Sequence, residues 1–117
     1  MSLNIIIPCY NESMRLPFNK YLDFLKLNKQ VKIIFVDDGS TDNTKKLVNK
    51  LSNKFPKQIK ILSYKKNKGK GNAVRDGFLY AVNQKISGNL AYLDADLSTS
   101  LEECKLLSKK INDKIKF

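Results

Sequence analysis

Val31-Lys32-Ile33-Ile34-Phe35-Val36-Asp37-Asp38-Gly39-Ser40-Thr41-Asp42 is the stretch whose reading decides the architecture. A nearly continuous apolar run is followed by two acids and a glycine, then by three residues suited to a helix start. A half-buried strand alternates apolar and polar side chains, whereas a strand covered on both faces reads as one apolar block. Residues 31–36 are therefore expected to form a buried strand. Ser40, Thr41 and Asp42 are candidate helix caps. Leu47, Val48, Leu51 and Phe55 follow at helical spacing, and Pro56 stops the helix.

The same pattern recurs on either side. Residues 3–7 are an apolar run ended by Pro8, and residues 17–27 place Phe18, Tyr21, Leu22 and Leu25 on one helical face. Residues 59–64 read as a third strand. Gly71 opens a helix that turns Ala73, Val74, Gly77, Phe78, Ala81 and Val82 inward. Residues 89–93 read as a fourth strand, and residues 101–111 as a helix striped by Leu101, Cys104, Leu107 and Ile111. Strand and helix thus alternate four times, with no linker, repeat or low-complexity tract. The expectation is one α/β domain over residues 1–117, a mostly parallel sheet of about four strands with helices on both faces.

Composition narrows the chemistry. The chain has no histidine, which removes Ser-His-Asp and Cys-His nucleophile pairs and any zinc site that uses histidine. Cys9 and Cys104 lie far apart without metal-ligand spacing, and a reduced pair is expected. No apolar run approaches the roughly 20 residues needed to cross a bilayer, and no signal peptide is visible. The default location is the cytoplasm, at the cytoplasmic membrane face for a full-length protein. The net charge of +11 would suit nucleic acid, anionic lipid or a phosphorylated ligand. Lysine, asparagine and isoleucine make up 42 of the 117 residues, however, so compositional skew explains the charge equally well. The aromatic-plus-basic signature of an RNA-binding sheet is missing, and no nucleic-acid partner is expected.

Four polar, glycine-containing or acidic stretches follow the four strands: Pro8-Cys9-Tyr10-Asn11-Glu12, residues 37–42, Asn67-Lys68-Gly69-Lys70-Gly71, and Asp94-Ala95-Asp96-Leu97-Ser98. In a parallel sheet all strand carboxyl ends lie on one edge, where ligands of open α/β sheets bind. Asp94 and Asp96, two apart in extended backbone, can face one ligand. Two carboxylates about 4 Å apart repel by around 4 kcal/mol at an effective dielectric of about 20, unless a cation lies between them. Hard oxygen ligands without histidine favour Mg2+ or Mn2+ bridged to a phosphate-bearing ligand. A solvated Asx turn before the last helix is the simpler alternative. Asp37 and Asp38 exceed what a capped turn needs and could accept hydrogen bonds from a ribose diol or a base imide. The turn at residues 67–71 precedes a helix N-terminus, where free N–H groups attract anions. It is neither a P-loop nor a dinucleotide fingerprint, and a lysine-bearing surface turn is its plain reading. Tyr10 either stacks on a base or packs beneath its loop.

Taken together, IIPCYNE, VDDGSTDNT, NKGKGNAVRDG and YLDADLS resemble family 2 glycosyltransferases of the GT-A fold, closest to the polyprenyl-phosphate (dolichyl-phosphate) glucosyl- and mannosyltransferases. The resemblance runs from about residue 3 to residue 100. It implies that Pro8, Tyr10 and Glu12 belong to a nucleoside-binding segment and that Asp37 and Asp38 hold base and ribose, with Asp38 favoured for the base. Lys70 and Arg75 would lie near the diphosphate or sugar. Asp94 and Asp96 match the DxD motif, with Asp96 the direct metal ligand. Ser98 stands where some relatives carry a further ligand. The implied reaction is inverting, metal-assisted transfer of a sugar from a nucleotide-diphosphate donor, with UDP-glucose favoured and GDP-mannose open, to a lipid phosphate or saccharide acceptor.

The family's catalytic domain is larger than this chain, and no candidate general base is found in it. The chain is therefore expected to be the donor-binding part of such an enzyme, inactive alone, with an open apolar surface that favours a homo-oligomer. A non-catalytic nucleotide-sugar-binding module is the alternative. A nucleotidyltransferase is disfavoured because residues 8–17 contain no glycine, and a nucleic-acid-binding domain would instead predict salt-sensitive DNA or RNA binding.

Overall fold

The computed structural model describes residues 2–114. Its elements run β1 (Leu3–Cys9), α1 (Phe18–Leu27), β2 (Val31–Asp37), α2 (Thr44–Lys54), β3 (Ile59–Ser63), α3 (Lys70–Asn83), β4 (Asn89–Tyr92) and α4 (Leu101–Lys114). The four strands form one sheet in the order β3-β2-β1-β4, every neighbouring pair parallel. β1 to β3 step outward in one direction, and β4 then returns to the opposite side of β1. Right-handed crossovers place α1 and α2 on one face and α3, whose connection runs the other way, on the other.

The core follows this division. Ile5, Ile7, Ile33 and Phe35 pack with Tyr21, Phe24 and Leu25 of α1, Val48 and Leu51 of α2, and Leu101 and Cys104 of α4. Ile6, Ile34 and Val36 meet Ala73 and Ala81 of α3 on the opposite face. Burial on both faces is why β1 and β2 read as unbroken apolar blocks. Gly77 lets α3 close onto β1, since a Cβ there would sit 2.5 Å from Ile6 Cγ2. Cys9 and Cys104 are buried free thiols.

Three expectations shift. β1 does not stop at Pro8 but runs through it to Cys9, with Pro8 in register with Val36. Successive residues of β1 bond to alternate neighbours: Leu93 N donates to Ile6 O, and Asp38 N to Cys9 O. The nitrogen of Pro8 therefore faces the β4 side, where β4 has already ended at Tyr92, and the missing N–H leaves no partner stranded. α3 begins at Lys70, and Val82 is exposed on it rather than inward. In α4, Leu101 and Cys104 are buried, but Leu107 and Ile111 are 59% and 48% exposed, because the sheet ends at β4 and offers that half of the stripe no cover. Among the described residues no helix is long and apolar enough to cross a membrane.

Candidate functional site

The carboxyl ends of the strands open into a cleft of about 480 Å3, beside β1 where the strand order reverses. Its walls come from all four loops, with Pro8, Tyr10, Glu12 and Arg15 after β1 and Asp38 after β2. Asn67, Gly69 and Lys70 follow β3, and Asp94 and Asp96 follow β4. The two remaining residues proposed from sequence lie elsewhere. Asp37 is buried below the cleft and accepts a hydrogen bond from Ser40 N at 3.2 Å. Arg75 points away along α3, its Nε 3.5 Å from Asp76 Oδ1.

Asp38 is fixed from three sides. Its carboxylate accepts from Lys68 N at 2.6 Å, from Gly69 N at 2.9 Å and from Asn67 Nδ2 at 2.9 Å. The close approach that this staple needs is allowed by Gly39, whose φ is +71°. A Cβ on Gly39 would lie 2.6 Å from the backbone of both Asn67 and Lys66. The loops after β1 and β2 are tied just as closely. Asn11, at φ +50°, takes a hydrogen bond on its side-chain oxygen from Thr41 N at 2.8 Å, and its own N–H donates to Ser40 Oγ at 3.0 Å. Glu12 N donates to Thr44 Oγ1 at 2.7 Å. Asp42 accepts from Ser13 N and Oγ at 3.2 and 2.7 Å, and from Thr44 N and Oγ1 at 2.9 and 2.5 Å. Burial raises the Asp42 carboxyl, but the hydrogen bonds from Thr44 and Ser13 outweigh it and hold the pKa at about 2. Ser40 and Thr41 thus lace the loops together instead of serving as helix caps, whereas Asp42 does both, since the Thr44 N–H that it accepts from is the first of α2.

The acid pair after β4 is steadied by Tyr21. This buried tyrosine packs on Phe35 at 5.5 Å between ring centroids and donates its hydroxyl to Ala95 O at 2.8 Å. Leu97, buried at φ +56°, closes the turn through its N–H to Asp94 O at 2.9 Å. Asp94 is ion-paired with Lys70, which raises the lysine pKa. Asp96 Oδ1 accepts from Ser98 N at 3.1 Å. Across the cleft Glu12 pairs with Arg15 at 2.6 Å. Burial pushes the Glu12 carboxyl up, Arg15 pulls it back, and the charges of Asp96, Asp42 and Asp94 add to the rise. At the other end, no side chain among the described residues caps the start of α3, which leaves its first N–H groups open to an anion.

The donor set suits a hard divalent cation. Two carboxylates face one cleft whose acids already repel, the chain has no histidine, and burial keeps the Cys9 thiol on the cleft wall protonated. Among the described residues no cluster of three or more potential metal ligands exists. The chain would thus supply two oxygen ligands and leave the remainder to water and ligand, as Mg2+ and Mn2+ prefer.

Comparison with known proteins now places the chain. The profile of "Glycosyl transferase family 2" matches residues 4–115. The chain belongs to this family. Among curated family 2 relatives, the dolichyl-phosphate beta-glucosyltransferase of Homo sapiens is 32% identical over 95% of this chain and 36% of its own length. The Saccharomyces cerevisiae enzyme of that name is 35% identical over 94% of this chain and 34% of its own. The chain therefore spans about a third of the length of the curated relatives it matches. Among solved structures, S. aureus TarS in complex with UDP superposes with a TM-score of 0.67 at 22% identity, over 97% of this chain and 32% of that one. A mannosyltransferase from Pyrobaculum calidifontis in complex with GDP-Man and Mn2+ gives 0.62 at 22% identity, over 80% and 27%. At these identities the likeness establishes the fold, which is the GT-A-like arrangement expected from the four motifs.

Sequence reasoning missed Tyr21, Asn11, Arg15 and Asn67. Tyr21 lies on the apolar face of α1 like any core residue, and the fact that its hydroxyl is buried was the available signal: such a group needs an acceptor. Asn11 and Asn67 carry no periodic signal, because they bond across loops that meet only in the folded chain.

Proposed function

We propose that this chain holds the nucleotide-diphosphate end of a sugar donor for transfer to a lipid phosphate, with UDP-glucose as the favoured donor. One observation carries the reading: Tyr10, Glu12, Asp38, Lys70, Asp94 and Asp96, from four separate loops, line one cleft at the point where strand order reverses. Relatives support it, since the Homo sapiens and Saccharomyces cerevisiae proteins that share about a third of this sequence are dolichyl-phosphate beta-glucosyltransferases.

In this reading Tyr10, 44% exposed at the rim, stacks on the base, and the lone pairs left on Asp38 accept from base or ribose. The free N–H groups of α3 and the Lys70 ammonium meet the diphosphate. Asp94 and Asp96 hold Mg2+ or Mn2+. When bound, such an ion neutralises charge growing on the departing diphosphate. The acceptor oxygen attacks the anomeric carbon, and the nucleoside diphosphate leaves. No general base is assigned among the described residues, so donor binding is expected without transfer. Asp37 and Arg75 enter indirectly, the first through the turn at Ser40 and the second through its contact with Asp76.

Calorimetric titration with UDP and with GDP, each with and without Mn2+, tests the reading. Mn2+-dependent binding of UDP is expected. Absence of binding for both nucleotides would sink it. A further part of the proposal is self-association beside β4, where Leu107 and Ile111 stand exposed and a second copy offers the same apolar patch. A monomer at every concentration in sedimentation equilibrium counts against that part.

A further inference from the structure

The charges in the cleft are unevenly satisfied. Glu12 has Arg15 as its cation, and Asp38 has its three loop donors. Asp94 has Lys70, whose ammonium also stands 5.9 Å from the centroid of the Tyr92 ring. Asp96 has no ion-pair partner among the described residues, only the N–H of Ser98. Four carboxylates therefore face two side-chain cations across one cleft, and the lysine sits on one of the two acids that would hold a metal.

From this placement we infer that Lys70 is a resident counter-cation for Asp94, displaced when a divalent metal binds, and that the displaced ammonium turns to the donor's diphosphate. The last clause rests on the donor reading above; the displacement does not.

Three features make the exchange feasible. The pair is half exposed, 57% for Lys70 and 49% for Asp94, so it is held weakly and in contact with solvent. Lysine is a point charge on a four-carbon stem and can swing without moving the backbone. That backbone is itself fixed, because Lys70 follows directly on the Asp38-stapled turn and begins α3. The swing therefore pivots on a rigid base beside the free N–H groups of the same helix. A divalent ion on Asp94 and Asp96 would put like charge against the ammonium. Two charges against one, at about 5 Å in water-like dielectric, correspond to roughly a fifteenfold change in affinity, which screening at about 0.01–0.1 M salt reduces to five- to tenfold. Metal and diphosphate are thereby coupled: the ion frees the lysine, and the lysine helps to hold the anion that accompanies the ion.

The test is a sign inversion in Lys70→Met. Mn2+ binding to the whole chain is read from the free-ion electron paramagnetic resonance signal, and UDP binding at saturating Mn2+ is read calorimetrically. Lys54→Met, in the exposed last turn of α2 at the opposite end from the cleft loops, removes the same charge. The expected result is Mn2+ binding five- to tenfold tighter in Lys70→Met than in the unaltered chain, unchanged in Lys54→Met, and UDP binding weakened several-fold in Lys70→Met alone. Mn2+ affinity unchanged or lowered in Lys70→Met overturns the displacement, as does the absence of Mn2+ association with both proteins. If the Mn2+ gain appears but UDP binds neither protein, the donor reading fails and the counter-cation assignment stands.

Discussion

Replacing Asp38 by asparagine tests whether the staple holds the cleft together. The side chain keeps its size and loses its charge, and one oxygen becomes an N–H2 group. Oδ2 accepts from both Asn67 Nδ2 and Gly69 N, and Oδ1 from Lys68 N, so either orientation of the amide sets a donor against a donor. One or two hydrogen bonds are lost, and the others fall from charge-assisted to neutral strength. Hydrogen bonds to charged groups contribute about 1.5–3 kcal/mol each and neutral ones about 1. Lys68 and Asn67 are exposed and can turn to water when released, which discounts the sum. A loss of about 2–3 kcal/mol remains, or roughly 30- to 150-fold in the equilibrium for opening the turn. Amide hydrogen exchange at Lys68 and Gly69, followed by NMR, reads that opening directly. Protection at both amides within about threefold of the unaltered chain would refute the staple, and with it the claim that Asp38 sets the start of α3.

Gly77→Ala should destabilise the chain by about 1–2 kcal/mol, since crowding the buried Ile6 costs more than the helix propensity gained; a thermal melt reads this, with Gly71→Ala, where an added Cβ meets nothing within 4 Å, unchanged or slightly higher. The carboxyl of Asp42, lowered to about 2 in the fold, contributes stability that is present above its ordinary value of 3.8 and lost as pH falls toward 2. Asp42→Asn should therefore flatten the loss of stability between about pH 4 and pH 2, measured by denaturant titration across that range; an unchanged acid limb would argue against the Ser13–Asp42–Thr44 link.

Most of the fold was legible because parallel strands buried on both faces leave unbroken apolar runs, and each run here ends in polar residues. Pro8 misled by one residue at β1, since proline reads as a stop unless the neighbouring strand is known to be shorter. The outer half of α4 misled for a related reason: Leu107 and Ile111 have correct helical spacing, but spacing does not reveal how many strands lie beneath. The cleft was legible at the level of loops, since topology alone sends every strand end to one edge. Which acid faces the cleft was less so. Asp37 and Asp38 were read as a pair, yet successive residues leaving a strand point to opposite sides, and that alternation already separates them.

The cleft divides into a frozen half and a free half, and the division follows from which groups are tied by backbone hydrogen bonds. Around β1, β2 and the turn after β3, hydrogen bonds through Asn11, Ser40, Thr44, Asp42 and Asp38 cross-link three loops, and each of these side chains accepts from at least one backbone N–H. Binding groups carried there are set before any ligand arrives, which lowers the ordering cost on binding and favours shape-specific recognition of a rigid ring system. Lys70, Asp94 and Arg15 are instead solvent-facing ion pairs that can re-form at little cost. Groups of that kind suit a ligand segment whose charge and metal content change during a reaction. A nucleoside joined to a diphosphate has these two parts in sequence, and the distance between the two halves of the cleft is bridged by the one segment common to both, the turn from Asn67 to Lys70. Stiffening or loosening that turn at Asp38 should therefore alter phosphate-end binding without touching a phosphate ligand.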